Sequence, residues 1–246
     1  MRVKLRMSAP HRPRFSPAAA FDRERAMSEA NMSSPPAPVL RVGVTGHRAN
    51  KLGPAVADRL RPMVRAALER LKNAAAATRA TLRIVSPLAE GADRMVASEG
   101  LALGAALLSP LPFPRLSYRR DFVEPASLAE FDALILRATT VIELDGRYDT
   151  EDTRKVAYAA VGEYVVDESD VVIALWDGAA SGGYGGTAEI VDSARRKGRP
   201  VLWLPTLDTI VPQVLLAEGS IDVAPLDAFV RMVGDVLART PPPRSA

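Results

Sequence analysis

Cysteine is absent from this chain, and histidine nearly so: of 246 residues only His11 and His47 carry an imidazole. Without cysteine there is neither a disulfide framework nor a cysteine–zinc site. Two histidines cannot build a histidine-rich metal centre. No metal and no cofactor is expected, and the lack of disulfides fits a cytoplasmic protein. No uninterrupted apolar run is long enough to span a bilayer, so no membrane partner is expected. Three familiar signatures are also missing. There is no Gly-x-x-x-x-Gly-Lys-Ser/Thr phosphate loop, which argues against ATP hydrolysis of that type. The turn Thr45-Gly46-His47 lacks the Gly-x-Gly-x-x-Gly fingerprint of dinucleotide dehydrogenases. No Gly-x-Ser-x-Gly elbow occurs.

Charge is unevenly placed. Residues 1–38 hold seven Lys/Arg against three acids, a net of +4 in a chain whose total is +3, which leaves −1 for the remainder. The high isoelectric point, about 9.4, therefore belongs to the N-terminal tail. The near-neutral remainder makes no general case for a nucleic-acid surface, and nucleic acid is not an expected partner. Residues 1–38 mix Pro, Ser, Ala and Arg without apolar periodicity and are expected to be disordered. A start at Met27 or Met32, a basic arm for an anionic partner and a transit peptide are the readings open to them, the first preferred. Residues 241–246 read as a second disordered tail.

Between the tails, residues 39–240 read as a single domain in which strands and helices alternate. Strand patterns fall at 40–45, 82–86, 106–111, 140–144, 171–176 and 200–204, the last taken as the final strand. Helical patterns fall at 52–77, 93–103, 127–137, 152–166, 188–197 and 225–237. Leu60, Val64, Leu68 and Leu71 keep helical spacing. Repeated β-α-β units with short connections predict an α/β fold: a doubly wound, mostly parallel, Rossmann-like sheet with helices on both faces. Such sheets bind ligands at the carboxyl ends of their strands, where strand order reverses.

That rule selects the loops to inspect. Thr45-Gly46-His47-Arg48 brings a hydroxyl, an imidazole and a guanidinium to the end of the first strand, and Arg48 can grip phosphate through two N–H groups. In Ser86-Pro87-Leu88-Ala89-Glu90-Gly91-Ala92-Asp93-Arg94, Gly91 is expected to supply an unusual backbone angle. Asp93 suits a helix cap or a ligand, and Glu90 could accept from ribose hydroxyls. Arg94 lies in a first helical turn, where an anion would relieve its conflict with the helix dipole. Tyr118-Arg119-Arg120-Asp121-Phe122 sets aromatics beside arginines, a combination that could flank a base and its phosphate. Arg154 and Tyr158 are four apart on one helix face.

The strongest signal is Ser169–Trp176, a buried-strand pattern, followed by Gly182-Gly183-Tyr184-Gly185-Gly186-Thr187-Ala188-Glu189. Glycines let a backbone approach a ligand, and the unpaired amides of a helix start suit phosphate. Thr187 is the expected N-cap. With Thr187 there, a capping-box acid would fall at Ile190, which leaves Glu189 without a capping task.

Together Val42–Arg48, Ser86–Arg94 and Ser169–Glu189 resemble the SLOG superfamily, which takes in the DNA-processing (Smf/DprA) proteins and the LOG cytokinin-activating enzymes. Ser86-x-x-Ala89-x-Gly91-Ala92-Asp93 is similar to the Ser-Gly-Gly-Ala-x-Gly-Ala/Ile-Asp of the DNA-processing branch, with Pro87 and Leu88 in place of two glycines. Gly182–Thr187 is similar to the Pro-Gly-Gly-x-Gly-Thr-x-x-Glu of LOG-like phosphoribohydrolases, with the acid at Glu189 one residue early. Arg154-Lys155 resembles the Arg-Lys pair of that group. The resemblance implies a Rossmannoid nucleotide-binding domain and leaves a homodimer or higher homo-oligomer open.

Two functions follow as expectations. One is a module that senses or carries a nucleotide or a nucleotide-derived small molecule, held by Thr45, Gly46, His47, Arg48, Gly91, Asp93, Arg94, Gly182, Gly183, Gly185, Gly186 and Thr187. The other is a phosphoribohydrolase-type enzyme that cleaves the N-glycosidic bond of a nucleoside 5′-monophosphate, with Glu189, Arg154 and Glu90 as catalytic groups.

Overall fold

The computed structural model describes residues 37–180, 185–216, 221–222 and 233–234. The tail readings for residues 1–36 and 241–246, Gly182 and Gly183, and all but Val233–Gly234 of the helix expected at 225–237 lie outside the described residues. The chain divides into Met1–Pro36 and Ala37–Ala246, and the second unit is described here.

Its elements in chain order are β1 (Val39–Gly46), α1 (Pro54–Ala77), β2 (Thr81–Val85), α2 (Ala92–Ala102), β3 (Ala106–Leu111) and a short α3 (Arg115–Tyr118) that runs into a 3-10 turn, Arg119–Asp121. There follow α4 (Pro125–Arg137), β4 (Thr140–Glu143), α5 (Glu151–Asp167), β5 (Val171–Trp176), α6 (Thr187–Arg196), β6 (Val201–Pro205), β7 (Gln213–Leu215) and β8 (Ile221–Asp222). The eight strands form one sheet in the order β4-β3-β2-β1-β5-β6-β7-β8. From β4 to β6 every pairing is parallel. β7 and β8 then extend the edge antiparallel. The strand at 200–204 is thus not the last, and the expected mostly parallel, doubly wound sheet is the one observed.

Side-chain alternation explains why β1 and β5 are almost wholly apolar. Val171, Ile173 and Leu175 join Leu40, Val42 and Val44 in a core that takes in Leu60, Val64, Leu68 and Leu71 of α1, Val96 of α2, and Phe131 and Leu134 of α4. Val172 and Ala174 point the other way, into a cluster with Val166 of α5 and Ile190, Val191 and Ala194 of α6. A strand covered on both faces must be hydrophobic at every position, not at alternate ones. Each such Val or Leu contributes about 1.5–3 kcal/mol when fully buried.

From β1 the chain winds outward through β2 and β3 to β4, and α5 then carries it back to β5 on the other side of β1. Residues 42–46 of β1 pair with 171–175 of β5. Strand order therefore reverses between β1 and β5, and their carboxyl ends, Gly46 and Trp176, mark the crevice.

Candidate functional site

A cavity of about 360 Å³ opens at that point, lined by Gly46, His47, Arg48, Asn50 and Lys51 from the β1 end and Trp176, Asp177, Ala179 and Ala180 from the β5 end. Gly185, Gly186, Thr187 and Ala188 at the start of α6 complete it. Its size is within the usual range for small-molecule sites. His47 is buried, and its Nε2 lies 3.2 Å from the Asp177 amide and 3.1 Å from the Asp177 carboxylate, so the imidazole is fixed across the crevice. Arg48 is half-exposed. Its guanidinium lies 5.1 Å from the Tyr158 ring centre and 3.8 Å from Asp121.

A smaller cavity of about 110 Å³ adjoins the first and shares Gly46, Arg48, Gly185 and Thr187 with it. Its further walls include Thr45, Asp93, Tyr118 and Tyr158. Asp93 is buried, and one carboxylate oxygen accepts the Ala89 N–H at 3.2 Å. Burial raises its pKa to about 7, against the opposing pull of the Ala89 N–H, Arg48 and Arg94. Tyr118 is 1% exposed. Burial, and the nearby Asp93 charge after it, push its phenol well above the usual range. Two tyrosines hold Asp121: Tyr148 donates at 2.7 Å to one oxygen and Tyr158 donates to the other.

The expected site residues divide into those at the cavities and those turned elsewhere. Thr45, Gly46, His47, Arg48, Asp93, Gly185, Gly186 and Thr187 line one or both. Gly91 and Arg94 do not. Gly91, at φ 95°, lets two loops meet: a Cβ there would come within 2.5 Å of the His47 carbonyl oxygen, and Ala92 N–H donates to that same oxygen. Arg94, 3% exposed, donates to the Leu88 carbonyl, to Ser127 and to Glu130, and lies 4.4 Å over the Phe122 ring. It is a brace between α2 and α4. Its Nη2 is buried and has no hydrogen-bond partner among the described residues.

The expected catalytic set is not assembled. Glu90, Arg154 and Glu189 line neither cavity. Glu90 accepts from the Ser127 hydroxyl at the start of α4. Arg154 lies 5.1 Å from the Tyr148 ring centre. Glu189 accepts the Gly185 N–H at 2.5 Å. The reason is a one-residue shift. The N-cap of α6 is Gly186, not Thr187, so Glu189 occupies the third helical position. From there an acid reaches back to the amides ahead of the helix, as in half of a capping box. Gly185 itself, at φ 81°, is pressed against α5, where a Cβ would lie 3.0 Å from the Ala159 nitrogen.

Sequence reasoning did not pick Asn50, Lys51, Trp176 or Asp177 as site residues. The strand-end rule that selected Arg48 applies equally to Trp176-Asp177 and could have found them. Among the described residues no cluster of three or more His, Asp or Glu is placed to hold a metal ion. No helix among them is long and apolar enough to cross a membrane.

No family model and no curated protein matches the chain. Similar solved structures exist. TM1055, a structural-genomics target, is 17% identical with a TM-score of 0.40, over 66% of this chain and 72% of that one. DNA processing protein A (DprA) from Streptococcus pneumoniae is 20% identical with a TM-score of 0.47, over 82% of this chain and 62% of that one, so less than two thirds of the pneumococcal protein is matched. DNA processing protein A from Helicobacter pylori is 16% identical with a TM-score of 0.45, over 80% of each chain. These are likenesses of fold alone, and the fold observed is a Rossmann-like, mostly parallel α/β sheet. One expectation is corrected. The Helicobacter protein is described as having a single-stranded DNA binding mode. The judgement that nucleic acid is no partner, drawn from net charge alone, therefore does not stand.

Proposed function

We propose that this protein binds a nucleotide or nucleotide-derived ligand, with the phosphate in the larger cavity. The observation that carries the reading is the cavity's place. It sits where strand order reverses, between the first residues of α6 and the cationic side chains of Arg48 and Lys51. Backbone amides at a helix start and a guanidinium are complementary to phosphate for the same reason: both present N–H groups and positive charge. His47 and Asp177 define the far wall. Binding is favoured over N-glycosidic cleavage because the carboxylates expected to do the chemistry are tied to the protein, Glu189 at Gly185 and Glu90 at Ser127.

Trp176 lines the cavity and serves as the reporter. Titration of tryptophan fluorescence with AMP, GMP, CMP, dTMP and a 5′-phosphorylated single-stranded oligonucleotide should give a saturable change with at least one of them. Chromatography of the same mixtures should show no free base. Release of base and ribose phosphate would replace the binding reading with the hydrolase. No response to any ligand would remove the cavity from consideration as a phosphate site.

A further inference from the structure

The smaller cavity holds two buried polar groups that the protein itself leaves unused. The carboxyl oxygen of Asp93 that does not receive the Ala89 N–H, and the hydroxyl of Tyr118, have no hydrogen-bond partner among the described residues. Both belong to residues more than nine-tenths buried. Neither atom is sealed inside protein: both residues line the cavity, where water or a ligand can pair with these groups. The space in front of them, about 110 Å³, equals the liquid volume of roughly three or four waters. A six-membered ring is of that size. The walls suit a flat heterocycle: Val44, Val161, Val165 and Ile190 are apolar, while Thr45, Asp93, Tyr118 and Tyr158 bring polar groups. Arg48 belongs to both cavities, so one ligand can lie across the boundary with its anionic end in the larger space.

We propose that the smaller cavity receives the hydrogen-bonding edge of the nucleobase, with Asp93 and Tyr118 as its partners; this rests on the nucleotide reading of the larger cavity. Asp93 then reads the base through its free oxygen. While the acid is protonated that oxygen donates, and it suits an unprotonated ring nitrogen such as N1 of adenine. Once ionised it accepts, and it suits a ring N–H such as N1–H of hypoxanthine. The groups that set this balance are Arg48 and Arg94, whose charges act on Asp93, and Tyr118, with Asp121 and Tyr158 beside it.

The test uses Trp176 fluorescence with AMP, IMP and ribose 5-phosphate. Tyr118→Phe, which keeps the ring packing, and Asp93→Ala should each weaken AMP about tenfold and leave ribose 5-phosphate unchanged. From pH 6 to pH 8 the preference for AMP over IMP should fall in the native protein and stay flat in Asp93→Asn; the phosphate titration common to both ligands cancels in that ratio. Equal AMP affinity in Tyr118→Phe and in a folded Asp93→Ala would overturn the proposal, as would equal weakening of ribose 5-phosphate, which would make the cavity a sugar site. If ribose 5-phosphate binds and the base adds nothing, the inference about the base fails alone. If neither ribose 5-phosphate nor any nucleotide binds, the reading of the larger cavity fails with it.

Discussion

The loops after β1 and β2 were nominated by the same rule and ended with opposite roles. His47, Arg48 and Lys51 of the β1 loop line the larger cavity. In the β2 loop, Glu90 is taken by Ser127, Arg94 by Leu88, Ser127 and Glu130, and Gly91 by close contact with the β1 loop. Of that loop's nominated residues only Asp93 reaches either of the two cavities beside the β1 and β5 ends; Gly91 and Arg94 line a separate one on the α1 side. The difference lies in position in the sheet. β1 borders the reversal of strand order, whereas β2 lies one strand away, where α4 supplies partners for its loop. A charged side chain at a strand end is a ligand candidate only if no neighbouring helix has already satisfied it.

Breaking the contrast at Arg94 should have the largest effect. Arg94→Ala strands the Leu88 carbonyl and removes a buried cation from two aromatic rings, so it should cost about 3–4 kcal/mol of unfolding free energy. Urea denaturation measures this, and ribose 5-phosphate affinity per folded molecule should not change, since Arg94 does not line the larger cavity. Asp93 comes next, through pH. Its folded pKa, raised to about 7 by burial, lies above the usual carboxyl value near 4. The native state therefore holds the proton more tightly than the unfolded chain. Its contribution to stability is complete below pH ~4 and is lost as pH rises through about 7. The stability of the native protein relative to Asp93→Asn should thus fall between pH 5 and 8, by a few kcal/mol on this scale; a flat difference would show that the carboxyl is already ionised.

Arg48→Ala should reverse the pattern seen at Arg94. Affinity for AMP should fall about tenfold or more, while urea stability changes by less than about 0.5 kcal/mol for this half-exposed side chain. The smallest effect is expected at Glu189. Glu189→Ala frees one loop amide and should cost about 1 kcal/mol, read by urea denaturation. A base-releasing activity that disappeared in this variant would restore its catalytic reading.

Most of the sheet was legible because period and length agree. The strands at 106–111 and 171–176 have the boundaries their apolar runs predict. β7 and β8 were not legible: three and two residues are too short to show alternation. Nor was the four-residue α3, which begins directly after Pro114. At the site, errors of one residue changed meaning. Placing the cap at Thr187 instead of Gly186 turned a loop-holding acid into a catalytic candidate. Tyr118 and Asp121 stood out only as a loop with aromatics and charges, because their meeting with Asp93, Tyr158 and Arg48 joins elements far apart in sequence.

Leu88 occupies a position where a glycine would be at ease. Its φ is 61°, a left-handed backbone that costs a leucine on the order of 1–3 kcal/mol. Yet the side chain is wholly buried, its N–H donates to Ser86 and its carbonyl receives Arg94. The residue works as a rivet where a glycine would be a swivel. The neighbouring amide of Ala89 stays trained on Asp93 because the turn that carries it has no slack to spend. Loosening that rivet would blur whatever Asp93 reads without touching a single atom that reads it.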